Sequence, residues 1–269
     1  MLQNIIIGQY VAGNSVIHRL DARSKLTVIF IFVITVFLAN TWLTYAFLFF
    51  TVFIAITLSR ISLSYIYKGM KPIFFLVILM FIVHGFMTKE GEVLFSIGLF
   101  DIYLGGIIQG LFIAIRLLLL IMMTTLLTLT TAPIELTDGL ENIFGPLRKI
   151  NVPVHELALM MSISLRFIPT LLQETEKIMK AQMARGVDFT GGSFTNKVKA
   201  IIPLLVPLFM QSFRRAEDLA IAMEARAYRG GEGRTRLREL QWKTKDTVAV
   251  VAFATIALLL FTLRYSELL

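Results

Sequence analysis

Residues 26–59 form an uncharged run of 34 positions. That is too long for one membrane crossing of about 20 residues and long enough for two short ones. Asn40-Thr41-Trp42 interrupts the run, and Trp42 suits a membrane–water interface. The pattern therefore predicts spans at 26–40 and 41–59. Arg60, Lys68 and Lys71 occupy the next loop. Pro72 then opens a third apolar run to Met87, since proline is tolerated in a helix's first turn. Within 88–105, Val93, Phe95, Ile97 and Leu99 alternate around Ser96 and Gly98, which predicts a small hairpin or interfacial loop rather than a span. Gly105-Gly106 reads as a turn. A fourth span is expected over 106–131 and a last one over 247–263.

Residues 132–245 have a different character. They hold 17 Lys/Arg and 12 Asp/Glu. A short helix is expected at 134–149, ending around Phe144-Gly145-Pro146. Two long helical patterns follow. In the first, 153–185, Ile168, Leu171, Leu172, Ile178 and Met179 fall on one face. Its other face offers the pairs Glu174/Lys177 and Glu176/Lys180 at helical spacing. Gly186 suits the helix end. The second pattern, 194–228, carries a 4-3 seam of Val198, Ile202, Leu205, Phe209, Ser212, Ala216, Leu219 and Met223, which packs against another helix. Gly230-Gly231 closes it. The apolar stretch 201–210 is too short to cross a bilayer and is bent by Pro203 and Pro207. Its expected place is against the inner leaflet or under the spans. A linker, 187–193, joins the two. The fold class is thus all-α and polytopic, with about five transmembrane helices and a large cytoplasmic insert of two or three helices. The segments are 1–131, 132–245 and 246–269.

Composition supports this reading. Of 269 residues, 57% are hydrophobic, against about 45–50% in a soluble domain. Counting Lys and Arg orients the chain: 23 of its 26 fall in 1–25, 60–71 and 132–245. The positive-inside rule puts those segments in the cytoplasm, and five spans put the C-terminus outside. No cleavable signal is visible in the first 25 residues. The net charge of +8 and the basic run Arg226, Arg229, Arg234, Arg236, Arg238, Lys243 and Lys245 fit contact with the anionic inner leaflet. Nucleic acid is the less economical partner.

Chemistry is scarce. With no Cys, disulfides, thiolate metal sites and cysteine nucleophiles are excluded. No phosphate loop, zincin motif, nucleophile elbow or dinucleotide fingerprint occurs. His18, His84 and His155 lack metal-ligand spacing. Within the spans, Arg116 is a functional candidate by virtue of its cost there. The plainer reading is that it pairs inside the protein. Around it stand only hydroxyls such as Thr124, Thr125 and Thr128, too few for a catalytic constellation. No enzyme is expected, and no metal or cofactor site in this chain.

Two arginines flanked by small residues end the long helical patterns: Ala184-Arg185-Gly186 and Ala225-Arg226-Ala227. Read by position alone, each would cap its own helix C-terminus. The surrounding residues change that. Gly8-Gln9-Tyr10, Ser15 and His18-Arg19-Leu20-Asp21-Ala22-Arg23-Ser24-Lys25-Leu26 resemble the N-terminal motif of the transmembrane T component of energy-coupling factor (ECF) transporters, the EcfT/CbiQ family. Arg166-Phe167-Ile168-Pro169 with Ala181-Gln182-Met183-Ala184-Arg185-Gly186 resembles its first coupling-helix signature. Arg215-Ala216 with Ala222-Met223-Glu224-Ala225-Arg226-Ala227-Tyr228 resembles the second. The chain departs from the family pattern at Ala22, where Pro is usual, and at Ala227, where many members have Gly.

The resemblance implies a non-catalytic, multi-pass subunit of a bacterial plasma-membrane importer for a vitamin or a transition-metal ion. Its partners would be two ATP-binding-cassette ATPases, which hold the ATP and Mg, and a small membrane S component, which binds the substrate. Arg185 and Arg226 would each dock one ATPase, their small neighbours allowing close approach. Methionines such as Met161 and Met210 would suit repacking against an S component, although ordinary core packing explains them as well. The competing readings are a permease whose own spans line the substrate path, and a membrane-anchored scaffold.

Overall fold

The computed structural model describes residues 10–97, 100–189, 191, 194–230 and 240–267. The order is α1 (Ala22–Leu38), α2 (Trp42–Ser59), α3 (Leu63–Met87), β1 (Val93–Ile97), β2 (Phe100–Tyr103), α4 (Leu104–Thr130), α5 (Pro133–Ile143), a 3-10 turn (Gly145–Ile150), α6 (Val154–Ala184), α7 (Phe194–Ala225) and α8 (Thr244–Glu267). The chain is an all-α polytopic membrane protein, with β1 and β2 forming one small antiparallel hairpin. It divides into two compact units, one of 8–143 with 240–269 and one built on 144–239.

In the first unit, Phe32, Val36, Leu48, Val52, Leu119 and Leu129 are fully buried, and α1, α2, α4 and α8 meet around them. An apolar groove of about 780 Å³ runs along the same four helices. Several hydroxyls within the spans are satisfied by their own helices: Thr51 donates to Phe47, Thr124 to Leu120 and Thr255 to Val251. Such back-bonding is how a membrane helix accommodates a polar side chain.

Three details differ from the sequence expectation. First, α3 begins at Leu63, and Pro72 lies inside it, where the axis bends by 59°. A residue without an N–H interrupts the helical hydrogen bonding there, and the helix bends rather than starts. Second, Gly105-Gly106 is not a turn. Gly106, Gly110 and Ala114 are buried at four-residue spacing. A Cβ on Gly110 would sit 3.0 Å from the Phe81 carbonyl oxygen, so the small stripe lets α4 approach α3 closely. Third, four helices are long and apolar enough to cross a membrane: α2, α4, α6 and α8, with the bent α3 a fifth. α1 has 17 residues, a rise of about 26 Å, slightly under the hydrocarbon thickness of ~30 Å. α6 qualifies by length, yet it is the least apolar of the four and carries Glu156, Arg166, Glu174, Glu176, Lys177 and Lys180.

α5 groups with the spans rather than with the long helices that follow it. Gly8, Gln9, Gly98, Leu99, Gly192, Gly231, Arg234, Arg236 and Arg238, read above as parts of motifs, the hairpin alternation, the linker and the basic run, lie outside the described residues.

Candidate partner-docking site

In the second unit α6 and α7 run antiparallel. Gln182 reaches the carbonyl of Pro203, Glu174 pairs with Arg215, and Ile163 and Met223 line one groove. Numbers fall along one helix as they rise along the other. The seam expected on α7 is used in part. Ser212, Ala216, Leu219 and Met223 face Ile163, Phe167 and Leu171 of α6. Val198, Ile202, Leu205 and Phe209 instead stay exposed, at 45% or more. On α6 the expected apolar face is half-buried, and Lys180 pairs with Glu176 at 2.9 Å. Glu174 does not take Lys177. It pairs with Arg215 across the helix interface, because a partner on the facing helix is shielded from water and one on its own surface is not.

The two arginines occupy equivalent places. α6 ends with Gly186 N–H donating to the Met183 carbonyl and Val187 N–H to that of Gln182, each at 3.0 Å. α7 ends with Ala227 N–H on Glu224 and Tyr228 N–H on Met223, at 2.8 and 3.0 Å. Both are Schellman turns, with the arginine as the last half-helical residue. The next residue must be left-handed: Gly186 has φ +87° and Ala227 φ +55°. Glycine takes that conformation freely, whereas alanine is strained by roughly 1–2 kcal/mol.

Ala184, Arg185, Gly186, Ala225, Arg226 and Ala227 are all exposed. Among the described residues neither guanidinium has a hydrogen-bond or ion-pair partner, so neither side chain caps its own last carbonyls. From the antiparallel register, Arg226 lies level with about residue 161 of α6, which puts the two tips about 36 Å apart along the axis at 1.5 Å per residue. Met161 and Met210 are 48% and 55% exposed. Met210 belongs to an exposed apolar face with Val206, Phe209 and Phe213.

The N-terminal motif does structural work in the first unit. Asp21 accepts from the Arg23 backbone and guanidinium, starting α1. Ser15 and the Val11 carbonyl hold His18, at 2.6 and 2.9 Å. Lys25 Nζ donates to the Thr130 carbonyl and Thr131 Oγ1 at the end of α4. The sequence reading missed the acceptor at the centre. Asp246, 1% exposed, accepts from Asp21 N–H, Ser24 Oγ and Lys243 N–H, at 2.7, 2.8 and 2.8 Å. An acid three residues into a helix, after a basic run, was the available signal. Arg116 donates to Tyr45 Oη at 2.9 Å and to the Ala39 carbonyl at 3.3 Å. Arg264 donates to the Leu38 carbonyl at 3.5 Å. Both arginines thus serve the otherwise unpaired carbonyls at the C-terminus of α1. Among the described residues no cluster of three or more His, Cys, Asp or Glu could hold a metal.

A family model described as CbiQ, cobalt transport protein, matches residues 13–237. The energy-coupling factor transporter transmembrane protein EcfT of Bacillus subtilis (strain 168) is 58% identical over 264 residues, covering 98% of this chain and 100% of that protein. EcfT of Listeria innocua is 54% identical over 264 residues, with the same coverage. EcfT of Lactococcus lactis subsp. cremoris is 48% identical over 259 residues, 96% of this chain and 97% of its own. Matched over most of its length and across the residues that build both helix tips, the chain belongs to the CbiQ/EcfT family of transporter membrane proteins.

Proposed function

We propose that this chain is the transmembrane energy-coupling subunit of an ECF-type importer in a bacterial plasma membrane. It performs no chemistry. ATP and Mg belong to two partner ATPases, one gripped at Arg185 and the other at Arg226. The N-terminus and the α6–α7 region lie in the cytoplasm and the C-terminus outside. The cargo, a vitamin or a transition-metal ion, is bound by a separate S component, which packs against the exposed apolar faces around Met161 and Met210.

The observation that carries this reading is the pair of equivalent helix tips. Each presents an exposed guanidinium between small residues, with no partner among the described residues. A guanidinium stays charged and offers five donors in a rigid fork, suited to bidentate capture of a carboxylate. Tips about 36 Å apart cannot share one pocket, whereas two ATPase subunits supply two. A permease reading is weaker. Arg116 is spent on α1 and α2, and hydroxyls such as Thr124 are spent on their own helices.

The test is uptake by vesicles carrying the complete complex. With Arg185→Ala plus Arg226→Ala, uptake should fall to background while substrate binding by the S component is unchanged. Undiminished uptake and undiminished ATPase retention would overturn the reading.

A further inference from the structure

In an α-helix the N–H of residue i donates to the carbonyl of residue i−4. Position 207 of α7 is proline, which has no N–H, so the carbonyl of Pro203 loses its donor within the helix. The replacement comes from α6. Gln182 Nε2 donates to that carbonyl at 3.3 Å.

Gln182 is also built into the tip that carries Arg185. Its backbone carbonyl accepts the N–H groups of Arg185 and Val187, both at 3.0 Å. One half-buried residue thus closes the turn that presents Arg185 and ties that turn to the proline break in α7. A second polar link between the helices, Arg215 to Glu174, lies two turns further from the tip.

From this we propose that Gln182 is a positioning residue. Its amide holds the Arg185 tip in register with α7 at the break, so that a displacement of the tip is passed to α7 rather than lost in bending the last turns of α6. The inference rests on the reading of Arg185 as an ATPase grip.

The experiment uses the complete complex in vesicles and reads three quantities: ATPase retention, ATP hydrolysis, and uptake per ATP hydrolysed. Gln182→Met keeps the side-chain length and removes the donor. It should leave ATPase retention unchanged and lower uptake per ATP about fivefold, the scale of one hydrogen bond of ordinary net strength. Gln182→Lys restores a donor of similar reach and should recover most of that loss. Pro207→Ala returns the N–H to α7 and closes the break, so Gln182→Met should cost much less in that background. An unchanged uptake ratio in Gln182→Met overturns the proposal, as does failure of Gln182→Lys to recover it. Loss of ATPase retention in Gln182→Met also overturns it, by placing Gln182 in the docking contact itself. Failure of the grip reading looks different: ATPases would stay bound in the Arg185→Ala, Arg226→Ala chain.

Discussion

At the scale of single residues, the informative contrast is between arginines that are spent and arginines that are free. Arg116, Arg264, Arg215 and Arg23 all have partners inside the protein. Arg185 and Arg226 have none among the described residues. A fork that is exposed and unpaired can be tested by its shape. Arg185→Lys keeps the charge and loses the bidentate geometry, so affinity purification should retain less ATPase than wild type and more than Arg185→Ala. Arg116 should respond otherwise. Tyr45→Phe removes its hydroxyl partner, for a loss of about 1 kcal/mol in thermal stability with no change in substrate preference. A changed preference would return Arg116 to the substrate path. The sequence marks Arg116 as costly but cannot say who satisfies it, because Ala39 and Tyr45 lie 77 and 71 positions away.

At the scale of elements, local chemistry was legible and distant pairing was not. The apolar blocks announce the spans, and the 3.6-residue rhythm announces α6 and α7, since both signals are carried by neighbouring residues. Pro72 was readable as a breaker, but only the fold decides between a helix start and a 59° bend. The tie of Glu174 to Arg215 spans 41 positions, so the local Lys177 looked the better partner. Asp246 is the strongest case, with its partners Asp21 and Ser24 more than 220 positions away. Asp246→Ala strands the Asp21 N–H at the start of α1 and the Lys243 N–H before α8, leaves Ser24 Oγ only the Asp21 carbonyl, and should cost about 3 kcal/mol. Thermal unfolding of the purified chain in detergent measures it, and a shift no larger than for an exposed surface substitution would show that the polar knot is not structural. The helix tips give a second prediction. Ala227→Gly relieves the left-handed alanine and should stabilise the α7 tip by roughly 1 kcal/mol, about fivefold greater amide protection at Tyr228 in hydrogen exchange. Gly186→Ala should do the reverse at Val187.

At the scale of the whole molecule, the proposed role of the chain is that of a mechanical link. Its spans form a bundle, and its long antiparallel helices carry Arg185 and Arg226, the two proposed grips, at opposite ends of the pair. The family and the bundle follow from sequence features spread over nearly the whole length, which is why they were legible. The grips are legible only through the motifs around them, since an arginine at a helix end is ordinarily a cap. The absence of cysteine makes the central claim directly measurable. Ala184→Cys and Ala225→Cys each place one thiol beside one guanidinium, and a short bifunctional cross-linker can then be applied to the assembled complex. The account predicts that each single variant joins one ATPase subunit and that the double variant yields an adduct carrying two. Adducts with the S component alone, or a double variant that never carries more than one ATPase, would contradict it.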